Sequence, residues 1–173
     1  MILRLLAGLL SLTSAHAAPI PLTSSSLLTS QKAGIYRSPL GFSVNAGRSG
    51  WSVVAEPVPN DYVVATYKSP NSANALTVRV DELEKPLTLE AYSKKWLKDY
   101  PRFGFSVLDS KKVKVGNDVA YMLDFVSREN KKQLRQLLFV KNQKAVTLTC
   151  RGDQTSFAQT VKSCNEIFRS FKW

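Results

Sequence analysis

The chain has 173 residues, with 24 Lys and Arg against 13 Asp and Glu and a formal net charge of +11. That length suits one domain. With 44% hydrophobic and 10% aromatic residues it can bury a sizeable core, so a disordered chain and a disulfide-stapled miniprotein both fit poorly.

Residues 1–17 place Arg4 before an apolar run from Leu5 to Leu12 and end on Ala15-His16-Ala17, the small-x-small pattern that a signal peptidase reads. The expectation is export to the periplasm or the cell exterior, with cleavage before Ala18. The run falls short of the roughly 20 apolar residues a membrane span needs, so no transmembrane segment is expected after cleavage. No cysteine lies near the cut, which argues against a lipoprotein anchor. His16 is the only histidine and would leave with the signal. Triads built on histidine, histidine general bases and nearly every catalytic zinc site then fall away.

Residues 18–34, with Pro19, Pro21 and Ser24-Ser25-Ser26, show no sustained period and read as a flexible leader. Patterning starts near Ile35 and runs to Trp173 without a linker, so residues 35–173 are read as a single domain. Phe42 with Val44, and Trp51 with Val53, mark two short strands. The segment from Tyr62 to Tyr67 and the alternating Leu76, Val78 and Val80 form a hairpin across the loop holding Pro70, Asn71 and Asn74. In the next segment Leu89, Tyr92, Trp96, Leu97 and Tyr100 follow a helical period, with Thr88 as N-cap, Leu87 and Tyr92 as a staple, and Pro101 as the stop. Val113 and Val115 pair with Tyr121, Leu123 and Phe125 around Gly116-Asn117-Asp118, and residues 134–140 pair with residues 145–150 around residues 141–144. A closing helix carries Phe157, Val161, Cys164, Phe168 and Phe171 on one stripe, and Ser156 with Gln159 fits a capping box. The fold class is α+β: an antiparallel sheet of about six to seven strands flanked by helices in layers.

The opening Pro39-Leu40-Gly41-Phe42-Ser43-Val44, the Gly50-Trp51 step and the closing Phe168-Arg169-Ser170-Phe171, in this order of elements, resemble the PsbP and Mog-like superfamily. The resemblance implies an antiparallel sheet with helices on both sides, and binding or accessory work rather than catalysis. It assigns no functional residue to any position here.

Cys150 shares strand parity with Val146 and Leu148, and Cys164 lies on the helix stripe, so both thiols face one interface. In an exported protein that pattern predicts a disulfide, with two buried free thiols as the alternative. Charge is uneven: residues 18–84 balance at zero, whereas residues 85–173 carry eighteen basic and eight acidic side chains. Lys94, Lys95 and Lys98 share a helix face, Lys112 and Lys114 a strand face, and Lys131 and Lys132 sit near a strand end. Together they form a candidate basic surface for an acidic protein or a cell-envelope polyanion; the alternative is a solvated face that serves solubility. Export and the lack of aromatics interleaved with these lysines speak against nucleic acid.

Asp81, Glu82 and Glu84 form the acidic cluster, without a calcium-loop pattern. No phosphate-binding glycine loop and no nucleophile elbow is present, and no cofactor, metal or catalytic residue is assigned. Ser93, Ser110 and Ser163 have lysines close by, as chance gives in a Lys-rich chain. Trp51 and Trp96 read as core anchors. The function expected is a non-enzymatic exported binding domain. Its alternative is a chaperone or assembly factor that holds an apolar segment of another exported protein.

Overall fold

The computed structural model describes residues 34–60, 62–127 and 129–173. The expected export signal and, Gly34 apart, the expected leader lie outside the described residues. The alternating segments become β1 (Ile35–Arg37), β2 (Ser43–Asn45), β3 (Ser52–Asn60), β4 (Val63–Lys68), β5 (Ala75–Glu82), β6 (Phe105–Val115), β7 (Asp118–Ser127), β8 (Lys132–Lys141) and β9 (Lys144–Asp153), with helices α1 (Leu89–Asp99) and α2 (Phe157–Arg169).

Strands β3 to β9 form one sheet in the order β3-β4-β5-β9-β8-β7-β6, antiparallel at every pair. Two meanders, β3–β5 and β6–β9, meet where β5 pairs with β9 along its whole length, from Ala75 opposite Arg151 to Glu82 opposite Lys144. The chain passes from the first meander to the far edge through α1. Strand β2 does not join this sheet: it pairs with β1 in a separate two-stranded ladder and is tied to the C-terminus through Ser43 and Lys172.

Helix α1 begins as its sequence dictates. Thr88 Oγ1 accepts from the Ala91 amide at 3.1 Å, one of the donors that a helix start leaves without a partner. Leu87 and Tyr92 pack in one cluster with Leu123, Phe125 and Leu138, which fixes the entry angle of the chain. A 3-10 turn over Tyr100–Phe103 holds Pro101, and Gly104 at φ 78° turns the chain back into β6; a side chain there would meet the left-handed penalty.

Helix α2 covers the opposite sheet face and buries Phe157, Thr160, Cys164, Ile167 and Phe168. Ile167 and Thr160 widen the expected stripe, while Val161 is only partly buried, because a helix packed on a sheet buries an arc and not a single line. The expected capping box at Ser156 and Gln159 does not form. Ser156 sits at φ −112° and ψ 5° with no side-chain cap bond, and its hydroxyl donates back to the Asp153 carbonyl at 3.5 Å. That backbone geometry departs from the extended one that aims a cap oxygen at the first helical amides.

The core under α2 contains Tyr67, Leu76, Val78, Leu148, Phe139 and Phe171. Phe171 stacks on Phe139 with ring centroids 3.8 Å apart, and Tyr67 Oη donates to the Val44 carbonyl at 2.8 Å, which anchors β2 over the sheet. The expected disulfide is present: Cys150 of β9 joins Cys164 of α2, with Cα atoms 6.0 Å apart. The α+β layering therefore stands as a sheet between two helices.

Candidate functional site

Helix α1 covers only part of its sheet face. Its inner side carries an aromatic ladder, Tyr92 edge-on to Trp96 at 6.2 Å, Trp96 tilted on Tyr100 at 5.6 Å, and Tyr100 stacked on Phe125 at 4.1 Å. These rings lie over β7 and β8. On the same face the strands β4, β5 and β9 present polar side chains in cross-strand rows. The register aligns Thr66, Thr77, Thr149 and Gln136 in one row and Lys68, Ala75, Arg151 and Leu134 in the next. Lys68 belongs to this face because its neighbour Tyr67 is fully buried on the other.

A groove of about 440 Å3 runs along these rows, lined by Asn74, Ala75, Thr77, Lys132, Thr149 and Arg151 over Leu134. Its inner wall is fixed by Gln136, 2% exposed, whose Nε2 donates to Tyr100 Oη at 2.6 Å and to Thr149 Oγ1 at 3.0 Å. Its outer end is fixed by Asn74, whose Nδ2 donates to Thr160 Oγ1 at 2.8 Å. Gly152 makes that approach possible, since a Cβ there would stand 3.1 Å from both Asn74 Oδ1 and Thr160 Oγ1. Lys132 is engaged by Asp153. Arg151 and Lys68 are exposed and form no ion pair with the described residues.

Further along the same face Arg79 pairs with Asp81 at 2.8 Å and lies 4.9 Å from the Tyr62 ring and 5.7 Å from the Trp96 ring. Tyr92 Oη donates to Asp81 Oδ2. Burial, with the Asp81 hydrogen bond next, pushes the Tyr92 hydroxyl up to about 12; burial does the same for Tyr100, also to about 12, and raises Tyr67 further. Each phenol is held neutral in the fold while its unfolded value stays near 10. The neutral form therefore contributes stability that is fully present below pH ~10 and is lost as pH rises towards ~12. Thermal melts between these values should show a falling midpoint, with the phenolate absorbance of these three buried tyrosines appearing together with unfolding. A midpoint flat across that window would mean the three hydroxyls titrate as freely as in the unfolded chain.

The lysines singled out in the sequence do not converge on one patch. Lys94, Lys95 and Lys98 are exposed on α1 without an ion pair among the described residues. Lys112 is paired with Glu90; that contact lowers the Glu90 carboxyl and raises the Lys112 ammonium from their ordinary values. Lys114 lies opposite Val119 at one end of the β6–β7 pair, whereas Lys132 lies opposite Ser127, itself opposite Phe105 at the other end. The nine-residue rise from Phe105 to Lys114 separates these ends by about 30 Å. Trp51 is a core anchor, 7% exposed, as expected, whereas Trp96 also faces the Arg79 cation. Ser93 is buried and its hydroxyl donates to the Glu90 carbonyl at 2.9 Å. Sequence reasoning missed Lys68 as a site residue. The hairpin register could have placed it opposite Ala75, but nothing local in sequence pairs β5 with β9.

No protein-family model and no curated protein sequence matches the chain. Solved structures do. The chain is similar to the cyanobacterial PsbP protein CyanoP from Synechocystis sp. PCC 6803, at 15% identity and a TM-score of 0.59 over 88% of this chain and 98% of that one. It is also similar to a Pseudomonas aeruginosa protein of unknown function, at 13% identity and a TM-score of 0.57 over 79% of this chain and 93% of that one. A third similar structure comes from Bacteroides thetaiotaomicron, at 12% identity and a TM-score of 0.55, with 81% of this chain matched to 48% of that one. At such identities the likeness speaks for the path of the backbone and not for the chemistry on it. The chain has the PsbP-like fold, an antiparallel sheet layered between helices.

Proposed function

We propose that the chain is an exported, non-catalytic binding or accessory domain whose basic second half meets an acidic protein or cell-envelope polyanion. The observation that carries this reading is a group of exposed cations without an ion pair among the described residues, which includes Lys94, Lys95 and Lys98 on α1, Lys114 on β6 and Arg151 on β9. Held on regular elements, they present a fixed field to which an anionic partner adds the missing charges. Export agrees with the buried Cys150–Cys164 bond, since disulfides persist in oxidising compartments.

The test is a salt-titrated pull-down from envelope extract with residues 18–173, beside a variant carrying Lys94→Glu, Lys95→Glu and Lys98→Glu. The expected result is retention of an acidic partner at low salt, release between about 50 and 200 mM salt, and weaker retention by the variant, whose reversed charges lower the positive field of the domain. A partner held equally at all salt concentrations by both proteins would sink the electrostatic reading. That outcome would favour the chaperone reading, for which the supporting feature is a cleft of about 310 Å3 lined by Leu89, Val119, Phe139, Val140 and Trp173 together with Glu90, Asp118 and Lys141.

A further inference from the structure

We infer that the open sheet face beside α1 seats an acidic polypeptide segment, with Lys68 and Arg151 as its charged contacts; this rests on the binding-domain reading above and names where the acidic partner docks. Three observations lead there. Lys68 and Arg151 flank Ala75 in one cross-strand row, so the smallest side chain of the row lies between its two cations and leaves a notch. With strands about 4.8 Å apart, their Cα atoms stand about 10 Å from each other, within reach of one shared segment. Neither cation has an acidic partner among the described residues, although both are exposed.

The second observation is the floor. The adjacent row places Thr77 and Thr149 in the groove, and the Gln136 amide locks Thr149 to Tyr100 behind it. Hydroxyls in line with two cations suit a carboxylate, which accepts several hydrogen bonds at once, and the Arg151 guanidinium offers the fork that binds it through two parallel bonds. The third observation selects among anions. Lys132, on the groove wall, is paired with Asp153 and adds no net charge, so the seat offers the two separate single charges of Lys68 and Arg151. Two cations with Cα atoms about 10 Å apart meet two carboxylates of one chain better than one compact dianion. An extended peptide also matches the surface, since its same-side carboxylates recur about every 6.8 Å.

The probe is a fluorescent hexaglutamate peptide, titrated by anisotropy into residues 18–173 at low salt. Three proteins are compared: wild type, Lys68→Glu with Arg151→Glu, and Lys94→Glu with Lys95→Glu and Lys98→Glu. All substituted side chains are exposed, and thermal melts check that the folds are equal; Lys68→Gln with Arg151→Gln repeats the test without charge reversal. The expected result is a loss of roughly tenfold or more in affinity for the Lys68 and Arg151 variants and a change below about threefold for the α1 variant, which lies off the seat. Free glutamate should compete better than inorganic phosphate, and vesicles of anionic phospholipid should not compete.

If only the α1 variant loses the peptide, the seat is overturned while the electrostatic reading of the domain stands. Equal losses in both variants mean a diffuse field and also overturn the seat. Phosphate or vesicles that compete better than glutamate overturn the choice of a polypeptide. A peptide that no protein binds at any salt concentration overturns the seat, and the pull-down then decides the binding-domain reading by itself.

Discussion

Changing Asp124 to alanine is expected to destabilise the fold by about 3 kcal/mol, near the lower end of what breaking a buried ion pair costs. Asp124 is 7% exposed and takes two hydrogen bonds from Arg135, Nε to Oδ1 at 2.7 Å and Nη2 to Oδ2 at 2.6 Å. The third guanidinium contact, Nη1 to Asn165 Oδ1 at 3.4 Å, is long and neutral. Asp124 raises the Arg135 guanidinium above its already high ordinary value, so the cation cannot escape by losing its proton. With Asp124 gone, the guanidinium under α2, between β7 and β9, loses its hydrogen-bonded anion and keeps only the weaker pull of Asp109, which lies opposite Asp124 on β6. The Arg135 side chain is 22% exposed, which lets part of the charge reach water and keeps the loss at the lower end.

Removing both charges should be far milder. Asp124→Leu with Arg135→Leu leaves no uncompensated charge and is expected to restore most of the stability, as apolar replacements of buried pairs commonly do. Urea unfolding of the single and double variants measures both effects. A loss below about 1 kcal/mol for Asp124→Ala would place this pair with exposed surface pairs.

Loss of the Cys150–Cys164 bond is the other large expected effect. The cysteines are 14 residues apart, and closing a loop of that size restricts the unfolded chain by about 3 kcal/mol in the chain-entropy model. For a domain of this length that is a fall of about 10 °C in Tm. Cys150→Ala with Cys164→Ala, and separately the wild type in reductant, should both show it by calorimetry. Because the bond ties α2 to the central strand β9, hydrogen exchange should show α2 losing protection first. A Tm shift of less than about 3 °C would mean that the packing of Phe157, Ile167 and Phe168 holds α2 in place without the tie.

The reach of the sequence can be judged from particular elements. Thr88, Leu87 and Tyr92 mark the start of α1 because capping and stapling depend on residues within one turn. The β4–β5, β6–β7 and β8–β9 hairpins are legible for the same local reason: a turn signal joins two alternating runs. The disulfide follows from parity on one strand and phase on one helix. Ser156 fails as a capping box because its backbone angles are set by how β9 ends, at Asp153, and not by residue type. Strand β2 joins β1 and the C-terminal Lys172 instead of the main sheet, since the Phe42 and Val44 side chains pack under Phe171 and Tyr67, a long-range contact without a local signature.

The sequence by itself determined the element types, the hairpins, the two one-sided helices, the disulfide pair and the concentration of positive charge in residues 85–173. Only the tertiary structure decided that β5 pairs with β9, because pairing between distant strands is selected by burying both sheet faces at once and not by any local period. That pairing carries Lys68, from the half of the chain with no net charge, across Ala75 from Arg151, while the β6–β7 and β7–β8 pairings divide the expected lysine surface between opposite ends of β6.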